Sequence, residues 1–406
     1  MSLLVLNIED TSLPKSSPST LQSALKHQIQ FLDKNLLVLV ISLMTLGLIM
    51  VTSASIGIAE REFSSPFFYA FKHMTSIGLG VIAALITFSA PLNWWKSYAH
   101  IIWLGAILLL VLVLVPFIGI SINGARRWLP MGFMTFQASE LMKFAHILFM
   151  AQLIETMRPY LISEKWAFLK PVALLVFVMG LLLLEPDFGA AAVVALTTAA
   201  MLFASGVPLK PFLSLGAVSA VLMGLLAIIA PYRVARLTAF VDPWADQFDT
   251  GYQLTQALIA FGRGEWFGAG IGESVQKLFY LPEAFSDFLF AIIAEELGLV
   301  GGLFVCLLYA LLAFRGFQIS SRAMNQGETY FSLVSFGIIF WISIQAVVNI
   351  GVNSGLLPTK GLTLPLISAG GSSILLTSIA IGLVLRIDCY LKSQLKQKRP
   401  VVRGRL

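Results

Sequence analysis

The feature that most constrains this chain is the recurrence of apolar runs long enough to cross a lipid bilayer. They fall near residues 36–55, 73–90, 101–120, 140–155, 171–184, 188–205, 212–230, 287–313, 330–352 and 364–385. A bilayer core takes about 20 apolar residues per helical span. Within it every backbone N–H and C=O must be paired inside the protein, which a helix achieves locally. The expectation is an all-α, polytopic membrane protein of about ten transmembrane helices. The 140–155 and 171–184 spans are short, with Glu140 and Glu185 at their ends. Composition agrees: of 406 residues 58% are hydrophobic and 12% charged, with mean hydropathy +0.86, where a soluble domain carries about 25% charged residues.

Several function classes drop out. Cys306 and Cys389 are too few and too far apart for a disulfide framework, and His27, His73, His100 and His146 show no metal-ligand spacing. The net charge of +6 is first a topology signal in such a chain. No basic stripe with interleaved aromatics points to nucleic acid. The first thirty or so residues are polar, with Pro14 and Pro18, and lack the early apolar core of a signal peptide.

Lys and Arg set the orientation. With the N-terminus inside, most of the 27 basic residues fall on the inner side, and an even number of spans returns the basic C-terminal end there. The chain divides into a cytoplasmic tail (1–35), a transmembrane domain (36–388) and a basic cytoplasmic tail (389–406) suited to anionic lipid or a cytoplasmic partner, or simply to anchoring. The large external loop, 231–286 between the seventh and eighth helices, is rich in charge and glycine. A segment that long in a compact protein is usually functional.

Four polar clusters interrupt the apolar chain, all on the expected external side. The first holds Arg126 and Arg127 beside Trp128, then Glu140 and Lys143. Guanidinium forks bind phosphate bidentately, although interfacial arginines also snorkel as anchors. Glu140 and Lys143, one helical turn apart, either pair or line a cavity. The second is Glu185-Pro-Asp187 in a tight turn, where Asp187 suits a helix start. The third ends the long loop with Lys277 and Asp287, followed by Glu295 and Glu296. Three acids on one membrane helix are costly unless paired or solvated, so at least one should face a polar cavity. The fourth holds Asn349, Asn353, Lys360 and the serine–glycine run around Ser372, the last also compatible with close helix packing.

These residues carry a resemblance. NGARRW at 123–128, EPDFG at 185–189, DPWAD at 242–246, the glycine-rich 251–272 stretch, YLPEAFSDF at 280–288, and 349–373 and 385–388 together resemble the SEDS family (shape, elongation, division and sporulation) from about 36 to 388. Their spelling is similar to the division-type members. The resemblance implies ten helices and polymerisation of lipid II into glycan strands at the outer face of the cytoplasmic membrane, at the division septum. It also implies work beside a class B penicillin-binding protein of the FtsI transpeptidase type and other divisome proteins. The family's essential aspartate maps onto Asp287. Phe279, Phe285, Ser286 and Ala369 stand where the family usually has Glu, His, Thr and Tyr.

The reaction so implied is glycosyl transfer from a glycan linked to undecaprenyl pyrophosphate, with Asp287 as base. Charge on the leaving pyrophosphate would be met by a divalent cation (Mg or Mn) or by basic residues. The candidates are Arg126, Arg127, Arg233, Arg236, Lys277 and Lys360. Glu140, Lys143, Glu185, Asp187, Glu295, Glu296, Asn349, Asn353 and Ser372 are expected to line the cavity. A lipid II flippase and a non-catalytic scaffold activating the penicillin-binding protein are the alternatives.

Overall fold

The computed structural model describes residues 30–122, 125–130, 132, 135–164, 166–207, 240–249, 251–359 and 361–398. The expected span at 212–230, with Arg233, Arg236 and Lys360, lies outside the described residues.

The apolar runs form antiparallel helices: α1 (Lys34–Phe63), α2 (Phe68–Ser89), α3 (Leu92–Leu114), α4 (Ala138–Ser163), α5 (Leu169–Leu184) and α6 (Phe188–Ala204). A short amphipathic α7 (Tyr252–Gly264) precedes α8 (Leu289–Asn325), α9 (Thr329–Asn353) and α10 (Gly371–Lys398). Among the described residues, α1, α2, α3, α8, α9 and α10 are long and apolar enough to cross a membrane, and α5 and α6 are shorter apolar helices. Helix ends follow local chemistry. Asp33 caps α1 by accepting from the Asn35 and Leu36 amides, and Pro91 precedes α3.

One element was not legible in the apolar pattern. Between α3 and α4 the chain forms a three-stranded antiparallel sheet, β1 (Ile120–Ile122), β2 (Ala125–Pro130) and β3 (Thr135–Gln137), in the order β1-β2-β3. It stands at the end of the bundle where α1, α3, α5 and α9 finish and α2, α4, α6, α8 and α10 begin.

Helix α10 is central, 78% of its apolar window being buried, whereas α2 is peripheral at 17%. The two pack closely through small residues: a Cβ on Gly382 would stand 2.7 Å from the Ala84 carbonyl oxygen.

Several boundaries differ from expectation, and two of the differences bear on the site. The apolar stretch 364–370, expected to open the last span, is not helical. It is buried irregular backbone, tolerated because protein groups satisfy it. Tyr309 donates to the Pro365 carbonyl, the Leu364 amide to Ser368 Oγ at 3.0 Å and the Ala369 amide to the Phe285 carbonyl at 3.0 Å. Just before the stretch, Gln345 Nε2 donates to the Thr363 carbonyl at 3.0 Å and Asn349 Nδ2 to the Leu362 carbonyl at 2.6 Å. Helix α8 begins at Leu289 and is broken at Gly298 (φ 69°, ψ −169°).

A loop from α7 is stitched into that break. The Ala269 and Gly270 amides cap the Glu295 and Glu296 carbonyls at 2.9 and 3.1 Å. The Leu299 and Val300 amides donate to the Glu265 and Trp266 carbonyls at 2.9 and 3.1 Å. Two end carbonyls of the first half-helix and two end amides of the second are thus met. A Cβ on Gly268 (φ 82°) would stand 2.1 Å from the Glu296 carbonyl oxygen, so only glycine fits the crossing.

Candidate active site

Asp287 lies in the turn just before α8, its side chain half-buried. Its position is fixed from α9. Asn349 and Asn353, four residues apart and therefore on one helix face, donate their side-chain amides to the Asp287 carbonyl at 2.8 and 3.0 Å. Asn353 Oδ1 also accepts from the Ala291 amide at 3.1 Å, capping α8. The two asparagines expected to line a cavity therefore hold the acid's backbone in place.

Burial pushes the Asp287 carboxyl up to about 7, the charges of Glu283 and Asp187 push the same way, and Arg127 pulls against them. Residues from three separate stretches thus act on one another's charge. Asp187 caps α6 by accepting from the Ala190 amide at 3.0 Å. It also accepts from Ser139 Oγ at 2.8 Å and Gln137 Nε2 at 3.1 Å. This ties the start of α6 to the β3–α4 junction. Ser372 ties that junction to α10, accepting from the Gln137 amide at 3.0 Å and donating to the Thr135 carbonyl at 3.1 Å.

Arg126 and Arg127 are neighbours on β2, so they point to opposite faces. Arg126 is exposed. Arg127 turns toward Asp187, with Nη1 3.9 Å from Oδ1, and its buried Nε has no hydrogen-bond partner. Glu185 is fully buried, and neither carboxyl oxygen has a partner. Burial raises this group to about 8, helped by the charge of Asp187 and opposed by Arg127. Buried polar groups are normally satisfied; here unsatisfied ones gather near one acid.

The remaining expected residues sit in two other networks. Lys143 pairs with Glu140 at 2.7 Å, donates to Gln345 Oε1 at 2.7 Å and lies over the Trp341 ring. This is the bridge alternative, knitting α4 to α9. Glu140 Oε2 keeps no partner. Glu295 and Glu296, two of the three acids of which at least one was expected to face a polar cavity, are paired. Glu295 accepts from Arg263 at 3.0 Å, from Ser274 Oγ and from the Val275 amide at 2.9 Å. Glu296 accepts from Lys277 Nζ at 2.8 Å and Ser53 Oγ at 2.7 Å. Lys277 is therefore engaged in the clamp that joins α1, α8 and the loop, rather than placed as a phosphate contact.

A cavity of about 580 Å³ adjoins the site, lined by Tyr69, Lys72, His73, Trp128, Phe285 and Ala369 among others. The departures from the family pattern gather here and nearby. The Ala369 amide donates to the Phe285 carbonyl at 3.0 Å. Ser286 Oγ bonds Glu283 Oε2 at 2.6 Å, and Arg61 stacks on Phe279 at 4.8 Å. Sequence reading missed Ser139, Gln345, Ser53 and Ser274. The only signal for Ser53 and Gln345 is a hydroxyl or amide group within an apolar span, which is weak, and Ser139 and Ser274 lie outside the expected spans. Among the described residues no three His, Cys, Asp or Glu side chains converge on a metal site.

Comparison with known proteins gives this geometry a family. The family model of the FtsW/RodA/SpoVE group, described as cell cycle protein, matches residues 33–393. The chain is 50% identical over 355 residues, 87% of its length and 95% of the relative's, to a probable peptidoglycan glycosyltransferase FtsW of Coxiella burnetii. It is 48% identical over 360 residues, 89% and 91% of the two lengths, to the protein of the same name in Legionella pneumophila. Among solved structures it is similar to a chain from work on coordinated polymerisation and crosslinking by a peptidoglycan synthase complex. That match has TM-score 0.73 and 29% identity, and covers 89% of this chain and 98% of that one. It is also similar to the rod shape determining protein RodA of Thermus thermophilus, with TM-score 0.63 and 30% identity over 88% and 96% of the chains. The chain belongs to the FtsW/RodA/SpoVE family, the SEDS membrane proteins, and aligns with its FtsW-type members.

Proposed function

We propose that this protein is a membrane-embedded peptidoglycan glycosyltransferase that polymerises lipid II during septal wall synthesis. The observation that carries the reading is the convergence on Asp287 of an incompletely paired arginine, Arg127, at the bundle end where the sheet and the irregular 361–370 segment meet. The names of the FtsW relatives support the same activity.

In this reaction the 4-hydroxyl of the acceptor sugar attacks the anomeric carbon of the lipid-linked strand. The Asp287 carboxylate takes the hydroxyl proton, the new C–O bond forms, and the bond to undecaprenyl pyrophosphate breaks with both electrons leaving on the phosphate. A base raised to about 7 is poised for proton transfer near neutral pH, an effect typically worth about 10²–10⁴-fold. Arg127 meets charge on the leaving pyrophosphate. The described residues do not assemble a three-ligand cage for Mg or Mn, and no step here is routed through one.

The end bearing Asp287 is the outer one in this reading. Arg315, Arg322, Lys392 and Lys396 lie toward the opposite end, as positive-inside charge requires, which leaves both termini cytoplasmic. A class B penicillin-binding protein is the proposed partner, supported by the synthase-complex relative.

The test is glycan polymerisation from purified lipid II in proteoliposomes, for the native protein and Asp287→Ala, each with a class B partner. Polymer from the native protein alone supports the reading. Equal polymer from a folded Asp287→Ala removes Asp287 from catalysis, and no polymer from either protein overturns the activity.

A further inference from the structure

Among the described residues, Glu185 alone has both carboxyl oxygens buried without a hydrogen-bond partner. It ends α5, and two residues later Asp187 starts α6. The charged groups that act on it are Asp187, from the start of α6, and Arg127, from β2. The helices it joins add only Lys170, at the far end of α5. An ionised carboxylate without donors in an enclosed site is the costliest arrangement, and such a group keeps its proton instead.

Arg127 completes the picture. Asp187 already accepts from Ala190, Ser139 and Gln137, so its hold on Arg127 is long, at 3.9 Å. The Arg127 Nε has no partner, and the side chain remains 27% exposed. The guanidinium is thus kept near the surface of the site with binding capacity in reserve.

We propose that Glu185 is carried in this site as a neutral carboxylic acid, a positioning residue acting through Arg127. Its lack of charge leaves the guanidinium available to an anionic ligand, and ionising it draws the guanidinium inward and closes that binding site. The identity of the ligand, a polyprenyl pyrophosphate, rests on the glycosyltransferase reading; the charge state of Glu185 does not. The elevation of Glu185 to about 8 places the switch on the alkaline side of neutrality. The proton released on ionisation goes to solvent.

Two measurements test this on the full-length protein in nanodiscs. The first is an infrared titration. Beside the protonated-carboxyl signal of Asp287, a second band present near pH 7 disappears by about pH 10, and this second band is absent from Glu185→Gln and from Glu185→Met, two neutral variants of similar size. The second is binding of undecaprenyl pyrophosphate. If only the neutral-Glu185 state is competent, affinity falls about tenfold between pH 7 and pH 9 as that state is depleted. In either variant the fall shrinks to below about twofold.

A native protein without the band, or variants with the same tenfold weakening, would overturn the proposal while leaving the glycosyltransferase reading intact. Failure of the probe to bind the native protein at pH 7 would sink both the Arg127 role and that reading.

Discussion

Asn349 Nδ2 lies 2.8 Å from the carbonyl oxygen of Asp287, so the acid's place is set by a residue 62 positions further along the chain. The same amide reaches the Leu362 carbonyl at 2.6 Å. One side chain therefore fixes the turn before α8 and the irregular segment facing it. Asn349→Ala removes both bonds. We expect kcat for polymerisation to fall by about 10²-fold, the effect of roughly 1 Å misplacement in a catalytic group, with KM changing less. Loss of two buried hydrogen bonds also lowers stability by about 1–3 kcal/mol. Single-turnover rates at a temperature well below melting separate the two effects.

The acid limb of the pH–rate profile should report Asp287. Burial, and after it the charge of Glu283, holds the carboxyl near 7, so activity rises with pH through that value. Glu283→Gln removes the second cause and should move the midpoint to lower pH. An unmoved midpoint would remove Glu283 from the site's electrostatics.

The same shift has a stability consequence of definite sign. Between the ordinary carboxylate range and about 7 the folded protein holds a proton that the unfolded chain has lost. Unfolding free energy therefore declines as pH rises through that window. Asp287→Asn removes the Asp287 share of the decline and leaves that of Glu185, which burial holds near 8. Its Tm should exceed that of the native protein at pH 8, and the gap should close toward pH 4, which thermal melts in detergent would read.

The Lys277–Glu296 pair is 2.8 Å long and almost wholly buried. Removing one partner of such a pair costs about 3–5 kcal/mol because a charge is left alone. Lys277→Met should therefore lower Tm sharply. Lys277→Met combined with Glu296→Leu should recover much of the loss, since two apolar groups leave no orphan charge. Equal losses in the single and double variants would argue that the Ser53 and Gly272 contacts matter more than the charges.

Gly268 tests the stitched helix. Alanine there meets the Glu296 carbonyl at 2.1 Å and must adopt φ 82°, a combination of overpacking and strain that costs at least about 2 kcal/mol. Gly270, also at positive φ but with no close backbone atom, should tolerate alanine better. The difference in Tm between the two variants is the measurement.

Much of this was legible in the chain. Apolar length gave the helices, and the acids and arginines that interrupt it marked the site end, with Asp187, Arg127 and Asp287 influencing one another as their shared side of the bundle suggested. Three things were not legible. The sheet is made of strands as short as three residues, too brief for alternation to register. The 364–370 stretch reads as apolar helix, and only its bonds to Tyr309, to Phe285 and within itself at Ser368 settle it as buried irregular backbone. Glu295 and Glu296 looked like cavity acids because their partners, Arg263, Lys277 and Ser53, lie far away in sequence.

The break at Gly298 separates the part of the chain that answers to the bilayer from the part that carries the acid. Residues 299–325 form a rod of roughly 40 Å at about 1.5 Å per residue, a full span in itself. Were α8 unbroken, a change of about ten degrees in the tilt of that rod would swing Asp287 by roughly 3 Å, given about 1.5 Å of rise per residue. A misplacement of about 1 Å can cost such chemistry about a hundredfold. With the break in place, the direction of the span and the placing of Asp287 are set by different contacts, the latter by Asn349 and Asn353 of α9.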